Sequence, residues 1–186
     1  MRRLLLVLGI ISLILASATS LSATQLSVGG FAGLNLPVAM DDVKMGMAYG
    51  FKARIALMPS VGIEPNFMIA SYGEGEAEVY DETYTRDGGE ITSFGVDIVF
   101  GGISGKKGAS FFVAGGIGSS KWSRDCIDDV TEMSFNLGVG MEYGVAEMIS
   151  IELRAKAMVI PHDDGSYKNG MITGGLNYFF NLGGGE

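Results

Sequence analysis

Along most of this chain apolar side chains return at every second position. In residues 132–144, Phe135, Leu137, Val139, Met141 and Tyr143 fall on one side, and Asn136, Gly138, Gly140 and Glu142 on the other. In residues 149–159 the apolar side is Ile149, Ile151, Leu153, Ala155, Ala157 and Val159, and the polar side is Ser150, Glu152, Arg154 and Lys156. Near the C-terminus Ile172, Gly174, Leu176, Tyr178 and Phe180 alternate with Thr173, Gly175, Asn177 and Phe179. A repeat of two is the signature of an extended strand with two chemically different faces, and helical spacing is nowhere sustained.

Eight such segments are predicted, at about 26–36, 46–57, 62–71, 90–101, 109–120, 132–143, 148–159 and 169–181. The connections run about ten residues, then four, eighteen, seven, eleven, four and nine. Alternating long and short connections between an even number of strands is the plan of an up-and-down transmembrane barrel, with short turns on the periplasmic side and long loops outside. Both termini then lie in the periplasm. Pro37, Pro59 and Pro161 fall at predicted strand ends, where no ladder hydrogen bond is lost. Pro65 falls inside the third segment, so a bulge or a position near the periplasmic rim is expected there.

Composition places these strands in a membrane. The chain starts MRRLLLVLGIISLILASATSLSA, with Arg2 and Arg3 ahead of an apolar run from Leu4 to Leu15 and then small residues, which is the layout of a cleaved secretory signal. Ala16-Ser17-Ala18 supplies the small-x-small cleavage pattern, making residues 1–18 the signal, with Ala23 as a later site; residues 24–186 form one barrel domain. The apolar run is too short to span a bilayer, and no later run reaches the length of a membrane helix, so any crossing must be made by strands. A net charge of −8 gives nucleic acid no basic surface to meet.

Alternation alone leaves open whether the apolar face meets lipid or lines the core of a soluble, lipocalin-like periplasmic carrier. The polar face is mostly Gly, Ser, Ala and Asn, small enough for the interior of an eight-stranded barrel and poor as a soluble exterior. It also carries Lys52, Arg54, Arg154 and Lys156 against Glu64, Asp97, Glu142 and Glu152, four of each sign. An outward Lys or Arg costs roughly 2–4 kcal/mol at the bilayer midplane, so these charges are placed inside, as a network of ion pairs that plugs the lumen. Phe51, Phe67, Phe94, Phe100, Phe111, Tyr143, Tyr178 and Phe180 lie on the apolar face, as interface girdles or as ordinary sheet packing.

The signal, the glycine-rich first strand LSVGGFAGLNLP, the segment FNLGVGMEYG and the last strand GMITGGLNYFFNL together resemble the small outer-membrane β-barrel family of OmpA/OmpX type. The resemblance covers essentially the whole mature chain. It implies an all-β, eight-stranded antiparallel barrel in the outer membrane of a Gram-negative cell, contact with outer-membrane lipid and lipopolysaccharide, and biogenesis through periplasmic chaperones and the barrel assembly machinery. It implies no cofactor, metal or reaction. The family usually ends on an aromatic residue; here NYFFNL is followed by GGGE, with Tyr178 and Phe180 keeping the outward aromatic spacing.

Candidate chemistry is sparse. Fifteen of the 21 acids fall in the four long loops or at their margins, among them Asp41, Asp42, Glu74, Glu76, Glu78, Asp81, Glu82, Asp87, Asp125, Asp128, Asp129, Asp163 and Asp164. Such loops have the oxygen donors for divalent cations or for cations shared with lipopolysaccharide phosphates, yet no calcium-motif spacing is present, and a solvated surface accounts for the charge. His162, the only histidine, precedes Asp163 and Asp164, and with Ser166 as nucleophile would make a hydrolytic site; Ser166 is expected in a turn. Cys126, the only cysteine, has no internal partner. Lys106 and Lys107 belong to a solvated periplasmic turn. The expected function is therefore a non-enzymatic, structural or surface-interaction role carried by acidic outer loops. The longest, residues 72–89, is the main contact surface. The alternatives are a narrow pore, a lipid-modifying enzyme and the soluble carrier.

Overall fold

The computed structural model describes residues 25–38, 43–58, 60–79, 82–86, 88–102, 107–124, 127–162 and 165–181. The expected signal peptide, Cys126, Asp41, Asp42, Asp81, Asp87, Asp125, Asp163, Asp164, Pro59 and Lys106 lie outside the described residues. Ten strands follow one another: β1 Gln25–Pro37, β2 Gly46–Met58, β3 Val61–Ser71, β4 Gly75–Val79, β5 Glu82–Arg86, β6 Glu90–Gly101, β7 Gly108–Arg124, β8 Ile127–Ala146, β9 Ile149–His162 and β10 Gly165–Asn181.

Eight of them close into a barrel in the order β1-β10-β9-β8-β7-β6-β3-β2, every neighbour antiparallel. Closure comes from β1 against β10, whose thirteen rungs run from Gln25–Asn181 to Pro37–Asn169 and leave no open edge for lipid to meet. The connection from β6 to β7 is entered and left through Gly101 and Gly108, whose φ values of 102° and 117° only glycine adopts without strain.

Three features depart from the expected outline. The outer ends of β7 and β8 continue past 120 and before 132, pairing Lys121 with Thr131 and Trp122 with Val130, and β6 follows β7 as far as Glu90 opposite Ser123. Asp128 and Asp129 thus belong to a strand rather than a loop. The long third connection contains a hairpin of its own, β4–β5, a separate two-stranded sheet with no rung to the barrel. Pro65 sits neither at a bulge nor at the rim. On the β6 side its ladder is unbroken, but on the β2 side rungs exist at Lys52–Asn66 and Ile55–Ile63 and not at Ala53–Pro65 or Arg54–Glu64. A proline nitrogen has nothing to donate, so the ladder skips here without changing register. The bulge in this pair lies between Ala56 and Met58, next to the short turn.

The two faces are inverted relative to a soluble protein. Phe111 is 73% exposed, Phe51 63%, Leu137 62% and Leu176 61%, and the outward positions of β1, β2 and β6 to β10 carry a continuous apolar belt. All eight aromatics assigned to the apolar face point outward. An apolar surface of that extent is stable only against hydrocarbon. Inward positions hold the buried polar set, including Ser27, Asn35, Asn66, Ser134, Ser150 and Asn177. This orientation excludes the soluble carrier, whose exterior must be polar.

Candidate functional site

The lumen at mid-height is filled by charge. Lys52 and Arg54 enter from β2, Glu64 from β3, Asp97 from β6, Glu142 from β8, and Glu152, Arg154 and Lys156 from β9, each at an inward position of its strand's alternation. Glu64, fully buried, is the hub. Its Oε2 accepts from Arg54 Nε at 2.8 Å and Arg154 Nη2 at 3.1 Å, and its Oε1 from Arg154 Nη1 at 2.6 Å. Lys52 Nζ lies 3.8 Å from the same carboxylate. Arg54 reaches on to Glu142 Oε2 at 2.8 Å and Glu152 Oε2 at 3.0 Å, while Lys52 Nζ donates to Glu152 Oε1 at 2.5 Å. Asp97 accepts from Lys156 Nζ at 3.2 Å and Asn136 Nδ2 at 3.0 Å. Ser150 donates to Glu142, and Asn177 Nδ2 to Glu152 Oε2 at 3.3 Å.

The structure brings these eight side chains together in one cluster, bonded from strand to strand across the lumen. Four cations face four anions, so the buried cluster carries no net charge. That balance, with several hydrogen bonds for each carboxylate, is what offsets the desolvation of ions taken from water. Beneath the cluster lies the Phe112 ring, with the Arg54 and Arg154 guanidiniums 5.1 and 4.9 Å from its centroid. Gly140 makes room for that ring, since a Cβ there would run into it.

Apolar layers that the sequence pattern did not reveal close both ends of the network. On the periplasmic side Ala56, Val99, Phe112 and Ala114 pack together. On the extracellular side Ala48, Met68, Ala70, Ile91, Met158, Ile160 and Met171 form a second layer. An aromatic lid joins it: Tyr72 lies 5.1 Å from Trp122, Trp122 stacks on Tyr167 at 4.6 Å and 2°, and Tyr167 meets His162 at 4.7 Å. Tyr72 Oη is hydrogen-bonded to Asn169, and between lid and network a hydroxyl chain runs from Ser93 to Ser120 to Ser134 in two steps of 2.8 Å. Among the described residues a void bordered by Phe31, Glu64, Met68, Arg154 and Thr173 measures about 20 Å³. A water needs ~10–15 Å³ on this measure, so there is space for about one.

The other candidates are not brought together. Ser166 belongs to β10, paired with Pro161, and not to a turn. It occupies an outward position whereas His162 occupies an inward one and packs on Tyr167, so the alternation holds a histidine base and this hydroxyl on opposite sides of the wall. Of the acids assigned to loops, Asp129 pairs with Lys121 at 2.5 Å at the outer end of the β7–β8 hairpin. No group of three or more His, Cys, Asp and Glu that would hold a metal occurs among the described residues. Lys107 is exposed at the turn before β7.

Comparison with known proteins gives the same architecture. Residues 4–180 match the family described as outer membrane protein beta-barrel domain. Among solved structures, Neisserial surface protein A superposes with a TM-score of 0.64 at 10% identity, covering 84% of this chain and 97% of that one. The outer membrane protein OprG from Pseudomonas aeruginosa gives 0.59 at 10% identity, with 86% and 97% covered. The N-terminal β-barrel domain of Pseudomonas aeruginosa OprF gives 0.55 at 16% identity, with 84% and 98% covered. No curated protein sequence matches the chain.

Proposed function

For this chain, which belongs to the outer membrane protein beta-barrel domain family and resides in the outer membrane, we propose a closed, non-conducting and non-enzymatic barrel that displays its extracellular hairpins for surface contact. The observation that carries this reading is the filled lumen: eight mutually neutralising charges between two apolar layers, with a void of only about 20 Å³ beside them among the described residues. A solute path needs a continuous wet column, and apolar constrictions at both ends exclude one. With its interior committed to packing, the barrel offers partners only its outer ends and its lipid face.

Two hairpins supply the outer ends. Among the described residues the β4–β5 sheet has no further strand on either edge, and an unpaired edge receives an extended segment of a partner by strand addition. The acid-rich sequence around it, from Glu74 to Glu82, favours a basic partner segment or cations held in common with lipopolysaccharide phosphates. Outer-membrane lipid is the partner of the belt, and the barrel assembly machinery and periplasmic chaperones are its partners during biogenesis.

Planar-bilayer recording tests the closed lumen. No unitary steps are expected from the folded protein, and stable steps that scale with voltage would overturn the reading. A lipid-release assay comparing the native chain with His162→Ala tests the absence of catalysis; activity that depends on that residue would restore the enzyme.

A further inference from the structure

The seams of the wall do not all close to the same height. The β8–β9 ladder ends at Phe135–Val159, although β8 runs outward to Ile127 and β9 to His162. On their other sides both strands stay paired, β8 with β7 as far as Ile127–Arg124 and β9 with β10 as far as His162–Gly165. Among the described residues, then, the outer part of β8 has a neighbouring strand on one side only. Exposure agrees: Val130 and Met133 are 38 and 56% exposed, and Thr131 and Glu132 between them are exposed too, inward and outward positions alike.

The break has a cause in the sequence. Successive residues of an antiparallel strand bond to opposite neighbours. Phe179 N donates to Met148 O across β9 and β10, so even-numbered residues along β9 serve β10 and odd-numbered ones serve β8. Pro161 is odd. Its nitrogen faces β8 at the bonding position after Val159 and has no hydrogen to donate, and one residue later β9 ends at His162. The same parity turns the N–H and C=O groups of Thr131 and Met133 toward the gap, while those of Val130 and Glu132 face Trp122 and Ser120 of β7.

We propose that this edge of β8 binds an extended basic segment of an extracellular partner by strand addition, an inference that rests on the barrel working through its outer ends. Unpaired backbone groups are tolerated in water and not in hydrocarbon, and the exposed Lys121, Asp129 and Glu132 put the gap on the polar side of the belt. The stretch Ile127–Ser134 holds three acids and no base, and the adjacent Lys121 is already committed to Asp129 at 2.5 Å. Glu132 on one face and Met133 on the other fit a segment in which Lys or Arg alternates with apolar residues. The edge is held by β7 and β6, whereas the β4–β5 sheet has no rung to the barrel, so less order has to be imposed on binding here. A second copy is a poor occupant, because upright copies in one membrane set their β8 strands parallel and bring like acids together.

Titration of the full-length protein in micelles with a synthetic alternating Lys-Val peptide tests this. Saturable binding is expected, absent with the matching Glu-Val peptide and with a Lys-Val peptide N-methylated along one edge. Thr131→Pro removes a donor from the free edge and no bond to β7, and should weaken binding by about tenfold while heat-modifiable gel mobility shows it folded. Equal binding of the methylated peptide, undiminished binding by Thr131→Pro, no binding by the native chain, or a dimer in place of the complex would overturn the proposal. So would binding lost on deletion of residues 75–86, and each of these leaves the closed barrel standing unless bilayer recordings also show steps. Hydrogen exchange of the native chain needs no variant: the amides of Thr131 and Met133 should exchange faster than those of Val130 and Glu132 and become protected when the peptide is added. Protection without the peptide, or none with it, would equally overturn the proposal.

Discussion

Arg54 and Arg154 grip the same carboxylate, Glu64, from strands that share no ladder, at 2.7 and 2.6 Å. Both guanidiniums also lie over the Phe112 ring. One acid thus ties β2, β3 and β9 together through the lumen, and the ring stops the two cations from tilting toward the periplasmic end. The contact is a cross-brace, and its loss is not a local event.

Glu64→Gln should destabilise the barrel by about 3–5 kcal/mol, because it leaves two arginines and Lys52 without their shared counter-charge in a site closed to water. The urea midpoint in detergent micelles would fall correspondingly. The double replacement Glu64→Met with Arg154→Met removes one charge of each sign, leaves the rest balanced, and should recover at least half of that loss. A double variant as unstable as the single one would mean that packing, not charge balance, decides.

Trp122 is the only tryptophan, so its fluorescence reports the lid without ambiguity. At 5% exposure, stacked on Tyr167 and tilted against Tyr72, it should emit to the blue and be barely quenched by iodide until the barrel unfolds. Ready quenching in the folded state would show the extracellular end to be open. Trp122→Ala, which empties the centre of the stack, should cost about 3–5 kcal/mol.

The lid also marks where sequence reading stops. The contrast between charged inward and apolar outward positions on β9 is plain from Ser150 to Lys156, and Glu152, Arg154 and Lys156 were legible from it. Past Lys156 the inward positions become Met158 and Ile160 while the outward ones stay apolar, so the two faces lose their contrast though parity continues. Met68 after Asn66, Trp122 after Ser120 and Ile91 before Ser93 repeat the switch. Counting in twos from a known inward residue would have found all of them; chemical contrast, the signal used, could not. The outer ends of β7 and β8 were missed for a related reason: Thr131 and Asp129, both exposed, look like loop residues.

The missing rungs at Ala53–Pro65 and Arg54–Glu64 should show as a weak spot in hydrogen exchange. The loosened β2–β3 seam is expected to let the amide of Ala53 exchange faster than those of residues 97–99, where the β6–β7 ladder is unbroken. Pro65→Val restores a donor and should slow that exchange. Its effect on overall stability should be small, because a new hydrogen bond of about 0.5–1.5 kcal/mol is opposed by roughly 0.4–1 kcal/mol of regained unfolded-chain entropy. Uniform protection along β2 would show that the wall is whole despite the proline.

A charge on the belt tests the orientation on which the closed barrel rests. Leu137 is 62% exposed on the outward face of β8, and Leu137→Arg should cost about 2–4 kcal/mol and lower the yield of heat-modifiable protein in vesicles. Val139 and Leu153, outward at similar depth, should behave alike. Tolerance at all three positions would turn the barrel inside out.

The β4–β5 hairpin shares no rung with the barrel, so the two are mechanically separable. Residues 75–86 replaced by a short glycine-serine linker should leave heat-modifiable mobility unchanged and the urea midpoint within ~0.5 kcal/mol of the native value, as for surface changes away from packed features. The boundary of that deletion matters. Tyr72 N donates to Gly89 O, Lys44 pairs with Gly73, and the Tyr72 ring is part of the lid, so a cut reaching Tyr72 or Gly89 removes barrel contacts as well. A nested pair of deletions, one from Gly75 to Arg86 and one from Tyr72 to Gly89, should therefore split: the first keeps stability and abolishes only the surface contacts of the hairpin, while the second also opens the lid and exposes Trp122 to iodide. If the shorter deletion destabilised the barrel as much as the longer one, the hairpin would be a structural clamp on the lumen and not a displayed contact surface.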